Sequence, residues 1–388
     1  MTVEPFSMNT PEAVLDDLRD RLVRTRALPQ DLARGWDAGA SPAYLCELLD
    51  YWRTNYDFRA AEARINSLKQ FRANIAGTTL HFVHERSQHP GALPIVLTHG
   101  YPDSFLRFSK LIPLLTDPTA HGATASDAFH VVAPSMPGYA FSEKLTKSGG
   151  IFEFGGLFHE LMSSELGYTR YAAHGGDWGT TVTEQLARSH SGAVIGIHLT
   201  DVPFWHAFQK PSDPSPAEQK FLAHNENFAM TEGGYAMIQG TRPQTLADSL
   251  NDSPLALAAW LIEKYQRWSD SGDDIETRFS KDELITFVML YWVTESIGSS
   301  FLPYYDMMHA GAPRWILEKA KEWLGSSAVP TGFALFPKDI GHPPREWAAR
   351  FFNVQRWTEL PRGGHFAALE EPELLAREIR EFFRPLRN

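Results

Sequence analysis

Five short apolar runs constrain this chain most: PIVLTHG (94–100), FHVVAPS (129–135), TRYAAHGG (169–176), AVIGIHLT (193–200) and, much later, TGFALFPKD (331–339). Runs of this length with few polar interruptions are strands buried on both faces, and the first four are separated by helix-compatible stretches. Buried strands alternating with helices specify an α/β fold built on a mostly parallel, doubly wound sheet. Two further strands are predicted from Phe71 on, FRANIAG and TTLHFVHER, around a glycine turn, with Leu80 and Phe82 set against His81 and His84.

The alternation stops between about 203 and 310, where the signals become helical. Ser215-Pro216-Ala217-Glu218 reads as a capping box with proline at the first helical position, and Ser280 with Glu283 as a second box. The second opens ITFVMLYWV, apolar on nearly all sides and so a buried helix. A helical lid is thus inserted into one sheet domain, which closes with the amphipathic helix PELLAREIREFF (372–383). Ahead of the sheet, Thr10 and then Pro11 at a first helical position open a helix with Val14, Leu15, Leu18 and Leu22 on one face. Residues 41–70 continue with helical periodicity and carry Tyr44, Tyr51, Trp52, Tyr56 and Phe58. The expected organisation is an N-terminal helical extension over 1–70 packed on the core, core over 71–202, lid over 203–310 and core again over 311–388.

Composition narrows the function classes. The 388 residues carry a net charge of −11, spread along the chain, which argues against nucleic acid or anionic membrane as the main partner. Cys46 is the single cysteine, so an intrachain disulfide and a cysteine-based metal cluster are excluded, in keeping with a cytoplasmic location. No stretch reaches the roughly 18 uninterrupted apolar residues of a membrane span, and the N-terminus has no leader pattern.

The chemistry centres on HGGDWG (174–179), where Asp177 stands between Gly175 and Gly179, after a strand and before the helix-compatible TTVTEQLARSH. A sharp strand-to-helix elbow needs residues without bulk on both sides, and it pushes its central side chain out over the sheet edge. By itself Asp177 could be a helix cap. HGYP (99–102) also follows a strand and would give a backbone N–H from Tyr101 to an oxyanion hole, with Trp178, next after the elbow residue, giving the second. RGGHF places His365 in a glycine-flanked loop before the last helix, as a candidate base. FPKD brings Asp339 to the end of a late strand, where it could accept the other imidazole N–H. Read singly, HGYP is a tight turn, His365 an ordinary histidine and Asp339 a turn former; in chain order they form a nucleophile, acid, base set.

At this point the chain resembles the α/β-hydrolase-fold epoxide hydrolases, in particular the microsomal branch that includes insect juvenile-hormone epoxide hydrolases. The likeness runs through GWDAGASPAYLCELLDYWRTNYDFR, HGYPDSF, PSMPGYAFS, GGDWG, LNDSPLALAAW, VMLYWVTESIGSS, VPTGFALFP and RGGHFAALEEPELLA, nearly the whole chain. GGDWG and RGGHFAALEEPE are its most specific parts, and the N-terminal stretch separates this branch from shorter ones. The resemblance implies two lid tyrosines that activate the epoxide oxygen, at Tyr235 in GGYAMIQG and Tyr304 in FLPYYD, with Tyr305 adjacent. The membrane anchor of the vertebrate microsomal enzymes has no counterpart here, which implies soluble behaviour, and the triad acid is Asp339 where some members carry Glu. No cofactor or metal is implied. The partners would be a small epoxide and water, and the aromatic-rich N-terminal segment and lid could pair subunits as a homodimer.

An aspartate suits this reaction because attack at a saturated epoxide carbon leaves an ester that water can cleave, where serine would leave an inert ether. The resemblance therefore implies a vicinal diol made through an alkyl ester on Asp177. The aromatic lid points to a bulky apolar or aromatic epoxide, handled in detoxification or in making a secondary metabolite such as an antibiotic. Haloalkane dehalogenases use the same aspartate, and Trp178 suits halide binding, but halide departure needs no lid phenols. Fluoroacetate-type enzymes carry arginines after the nucleophile, where Trp178, Gly179 and Thr180 stand here. A binding protein on this scaffold would have no reason to keep Asp177, Asp339 and His365 together.

Overall fold

The computed structural model describes residues 3–26, 35–144, 151, 153–309 and 325–387. The expected boundary between lid and core at 310–311 lies outside the described residues.

Strands β1 (Glu4–Phe6), β2 (Gln70–Ile75) and β3 (Thr78–Glu85) make an antiparallel edge. Beside it lie β4 (Leu93–Thr98), β5 (Phe129–Pro134), β6 (Tyr171–Gly175), β7 (Val194–Leu199), β8 (Pro330–Leu335) and β9 (Asn353–Glu359), mutually parallel, in the sheet order β1-β2-β3-β5-β4-β6-β7-β8-β9. After β5 the chain crosses over β4 to lay down β6, so winding reverses about β4. A crevice forms where winding reverses, outside the carboxyl ends of the strands. The loops that leave β4 and β6 there are HGYP and the Asp177 elbow.

Helices α1 (Glu12–Arg24), α2 (Pro42–Thr54) and α3 (Phe58–Asn66) precede β2, and α4 (Leu111–Thr116), α5 (Phe154–Glu160) and α6 (Trp178–Ser189) connect strands. The lid holds α7 (Pro216–Thr231), α8 (Gly234–Thr241), α9 (Pro243–Asp252), α10 (Pro254–Trp268), α11 (Lys281–Thr294), α12 (Ile297–Ser300) and α13 (Leu302–His309). α14 (Arg345–Ala349), α15 (Ala367–Glu370) and α16 (Pro372–Phe383) complete the chain. Both capping boxes form: Ser215 and Ser280 accept from the backbone N–H of Glu218 and Glu283, whose carboxylates reach back to the caps.

Two expectations need amendment. Pro11 is extended (ψ 141°), so it caps α1 and the helix starts at Glu12. The N-terminal segment is not helical throughout, because Glu4–Phe6 pairs with β2 and extends the sheet by one strand. Its helices α1–α3 lie on lid helices α10 and α11, where Tyr51 donates to Asp282 (3.0 Å) and Tyr56 hydrogen-bonds Thr286 (3.0 Å). Both faces of β3 are covered: His81 is buried between Ser135 (2.8 Å) and Gln70 (3.1 Å), and His84 bonds Tyr168 (2.9 Å), so both histidines are buried along with Leu80 and Phe82. Among the described residues, no single helix is long and apolar enough to cross a membrane.

Candidate active site

Asp177 closes the turn between β6 and α6 with φ 56° and ψ −132°, a conformation that L-residues avoid and that surrounding contacts must impose. The glycines explain how it is imposed. A Cβ on Gly175 would lie 2.2 Å from the Gly179 carbonyl oxygen, and one on Gly179 would lie 2.1 Å from that of Thr98. Strand, elbow and helix therefore touch backbone to backbone. Gly179→Ala is expected to cost roughly 3 kcal/mol, since the Thr98 carbonyl cannot move without disturbing the pairing of β4 with β6, measured as a lowered urea midpoint at unchanged slope.

Gly100 lets the HGYP loop approach in the same way, a Cβ there falling 2.1 Å from Asp177 Oδ1. That approach allows the Tyr101 N–H to donate to Asp177 Oδ1 at 2.8 Å, and the Trp178 N–H bonds the same carboxylate. The Tyr101–Pro102 peptide is cis. On the other side His365 Nε2 stands 3.3 Å from Asp177 Oδ2, and His365 Nδ1 bonds Asp339 Oδ1 at 2.7 Å. β8 ends at Leu335, four residues before Asp339, so the acid sits in the following loop, whose Lys338 bridges to Gly364 beside the histidine. One-tenth of the Asp177 side chain is exposed, against 3% for His365.

Electrostatics follow from this geometry. Burial disfavours the charged imidazolium, yet Asp339 and Asp177 outweigh it and hold the His365 pKa up at about 10. Burial likewise opposes the Asp177 carboxylate, but His365 and the two backbone N–H groups bring its pKa below the usual value. The resting pair is an ion pair whose two members depend on each other.

The lid brings Tyr235 (α8) and Tyr304 (α13) over the elbow. Their ring centroids are 5.8 Å apart, and the rings of Tyr304 and Trp178 meet edge to face at 5.1 Å. Tyr305 turns instead to stack on His309 at 4.3 Å. Burial raises the pKa of both phenols, with Asp177 adding to the shift, so each keeps its proton.

Several groups with no motif of their own complete the site. Arg107, buried and paired with Asp103 at 2.7 Å, donates to the carbonyl of His365; the pair is four residues apart in HGYPDSFLRF, a spacing that was readable. The His365 N–H donates to the Trp268 carbonyl (2.8 Å), and Glu370 accepts from the N–H of Phe366 (2.9 Å) and of Asp270 (2.7 Å), tying the histidine loop to the end of α10. The Tyr101 hydroxyl, not only its N–H, belongs here: Gln239 (2.7 Å) and Trp260 (2.8 Å) both donate to it. Asp201, just beyond β7, is a second buried carboxyl. Burial and then the neighbouring Asp339 carboxylate push its pKa well above the carboxylate range. Among the described residues no cluster of His, Cys, Asp and Glu is arranged to hold a metal ion.

Comparison with known proteins identifies the family. Residues 3–108 match the family described as "Epoxide hydrolase N terminus", and residues 94–236 match the alpha/beta hydrolase fold. A Stigmatella aurantiaca protein ascribed to the epoxide hydrolases is 42% identical over 387 residues, covering 99% of this chain and 86% of its own. Epoxide hydrolase 1 of Oryctolagus cuniculus is 34% identical, covering 98% and 88%. Among solved structures, the Aspergillus niger epoxide hydrolase superposes with a TM-score of 0.84 at 31% identity, covering 100% of this chain and 97% of that one. The juvenile hormone epoxide hydrolase of Bombyx mori gives 0.88 at 28% identity, covering 100% and 95%.

Proposed function

Because the chain belongs to the α/β-hydrolase-fold epoxide hydrolases, we propose that it opens an epoxide through a covalent ester on Asp177 and releases a vicinal diol. The observation that carries this reading is the placement of one carboxylate between opposed groups. Asp177 meets His365 and two backbone N–H donors on the sheet side, while the phenols of Tyr235 and Tyr304 hang over it from the lid. A nucleophile facing two proton donors suits a leaving group that stays attached and becomes a hydroxyl, as an epoxide oxygen does.

An Asp177 oxygen attacks an epoxide carbon from behind the breaking C–O bond, and the freed oxygen takes a proton from a lid phenol. Ester formation erases the charge that helped hold His365 at about 10, so the imidazolium yields its proton and, through solvent, restores the phenol. Neutral His365 then takes a proton from water, whose oxygen adds to the ester carbonyl while the Tyr101 and Trp178 N–H groups hold the oxyanion. Collapse releases the diol oxygen, which is protonated by His365; the proton left on the Asp177 carboxyl returns to His365 and the resting pair is restored. Aromatic rings surround the elbow and the lid phenols: Phe204 meets Trp178 edge to face at 4.8 Å, Tyr101 stacks with Tyr235 at 6.1 Å, and Trp268 meets Tyr235 at 5.2 Å. Such walls favour a bulky apolar or aromatic epoxide.

A single turnover with enzyme in excess in heavy-oxygen water tests the ester. The first diol should carry ordinary oxygen taken from Asp177, with label entering the enzyme carboxylate; label in the first diol would overturn the reading.

A further inference from the structure

Helix α10 carries Trp260, Lys264 and Trp268 at four-residue spacing, hence on one face. The two tryptophans already belong to the site, Trp260 through the Tyr101 hydroxyl and Trp268 through its ring edges on His365 (5.4 Å) and Tyr235 (5.2 Å). Lys264 lies between them and is only 7% exposed. Its Nζ stands 4.9 Å from the centroid of the Tyr235 ring and 5.4 Å from that of Trp268, with Glu263 at 2.6 Å as its ion-pair partner. Burying an ammonium against two aromatic faces forfeits hydration, and no step derived above makes use of it.

We propose that Lys264 is a positioning residue for epoxide opening: its ammonium, held on the face of the Tyr235 ring, stabilises the negative charge that this phenol takes on as it gives its proton to the departing oxygen. A cation over a neutral ring gains a modest quadrupole attraction, and it gains more as the ring becomes a phenolate. The interaction therefore grows toward the transition state and accelerates the reaction instead of only tightening binding. The surroundings make that help necessary. Tyr235 is buried, and the carboxylates of Asp177, Glu232 and Glu263 all oppose negative charge on it. Arg267 is engaged with Glu232 at 2.7 Å, and the neighbouring Tyr304 lowers the Tyr235 pKa only against a larger rise from burial. Lys264 works against those three charges at the ring itself, so the two lid phenols are not equivalent: Tyr235 is the one equipped to lose a proton.

The proposal rests on the ester reading, which the heavy-oxygen turnover of the unaltered enzyme tests separately. Rapid mixing of an aryl epoxide with excess enzyme, followed by quenched intact-mass analysis, resolves ester formation from ester hydrolysis. Lys264→Met is expected to slow ester formation about tenfold and leave ester hydrolysis unchanged, while Lys264→Arg keeps formation within roughly threefold of the parent. In a Tyr235→Phe background the same Lys264→Met change should add almost nothing, because the charge it stabilises no longer forms. Equal slowing in both backgrounds, slowing of both half-reactions together, or an arginine variant as slow as the methionine one would overturn the proposal. If Lys264→Met does not fold, Lys264→Gln removes the charge with similar length and is read identically.

Discussion

An enzyme with His365 replaced by glutamine is expected to react once and stop. Asp177 keeps its Tyr101 and Trp178 N–H donors, and the lid phenols are untouched, so the first half-reaction proceeds. Water then has no imidazole base: the groups nearest the ring position are carboxyls and the rings of Phe366 and Trp268, and Arg107, paired with Asp103, meets this residue only at its backbone carbonyl. Turnover should fall by roughly 10⁴-fold, the size expected when a general base is lost from a hydrolytic triad. The distinguishing readout is intact mass, which should rise by the mass of one epoxide per chain and persist for many parental turnover times. A variant that is equally slow but shows no adduct would mean that His365 serves the attack on the epoxide and not the hydrolysis of the ester.

Asp177→Asn should lose more, on the order of 10⁶-fold, because the covalent route itself is gone. Introduced into the His365→Gln variant, it should also abolish the mass increase. Its second consequence is electrostatic. The His365 value of about 10 lies above its ordinary 6.5, so the stability this group contributes is complete below pH 6.5 and disappears as pH rises through about 10. Asparagine removes one of the two carboxylates that hold it there, so the upper edge of that window moves down. Thermal melts from pH 6 to pH 11 should show the variant completing its alkaline loss of stability at lower pH than the parent. Superimposable alkaline arms would show that Asp177 and His365 are not coupled.

What could be read in advance was local in character. The elbow was legible because its requirement falls on adjacent residues: only small neighbours let Asp177 adopt a positive φ between a strand and a helix. Lid content and capping boxes were legible for the same reason, since Ser215 with Glu218 and Ser280 with Glu283 complete each other within four positions. Strand β1 was not, because three residues cannot display an alternation and its partner in β2 lies more than sixty positions away. The burial of His81 and His84 was not legible either, because Gln70, Ser135 and Tyr168, which satisfy them inside the fold, come from other segments.

The sequence, then, settled most of the sheet, the lid insertion, the family and the order of Asp177, Asp339 and His365, all of which are carried by period, adjacency and chain order; β1 and β9 came only with the fold. Packing settled the rest. It turned Tyr304 toward Trp178 and Tyr305 away, set Arg107 on a carbonyl 258 residues distant, and buried Asp201 near Asp339, which raises its pKa. It also laid the Lys264 ammonium on the Tyr235 ring. Each of these depends on burial and on distances between groups remote in the chain, and electrostatic interaction follows distance and dielectric in space, for which position along a chain is no guide.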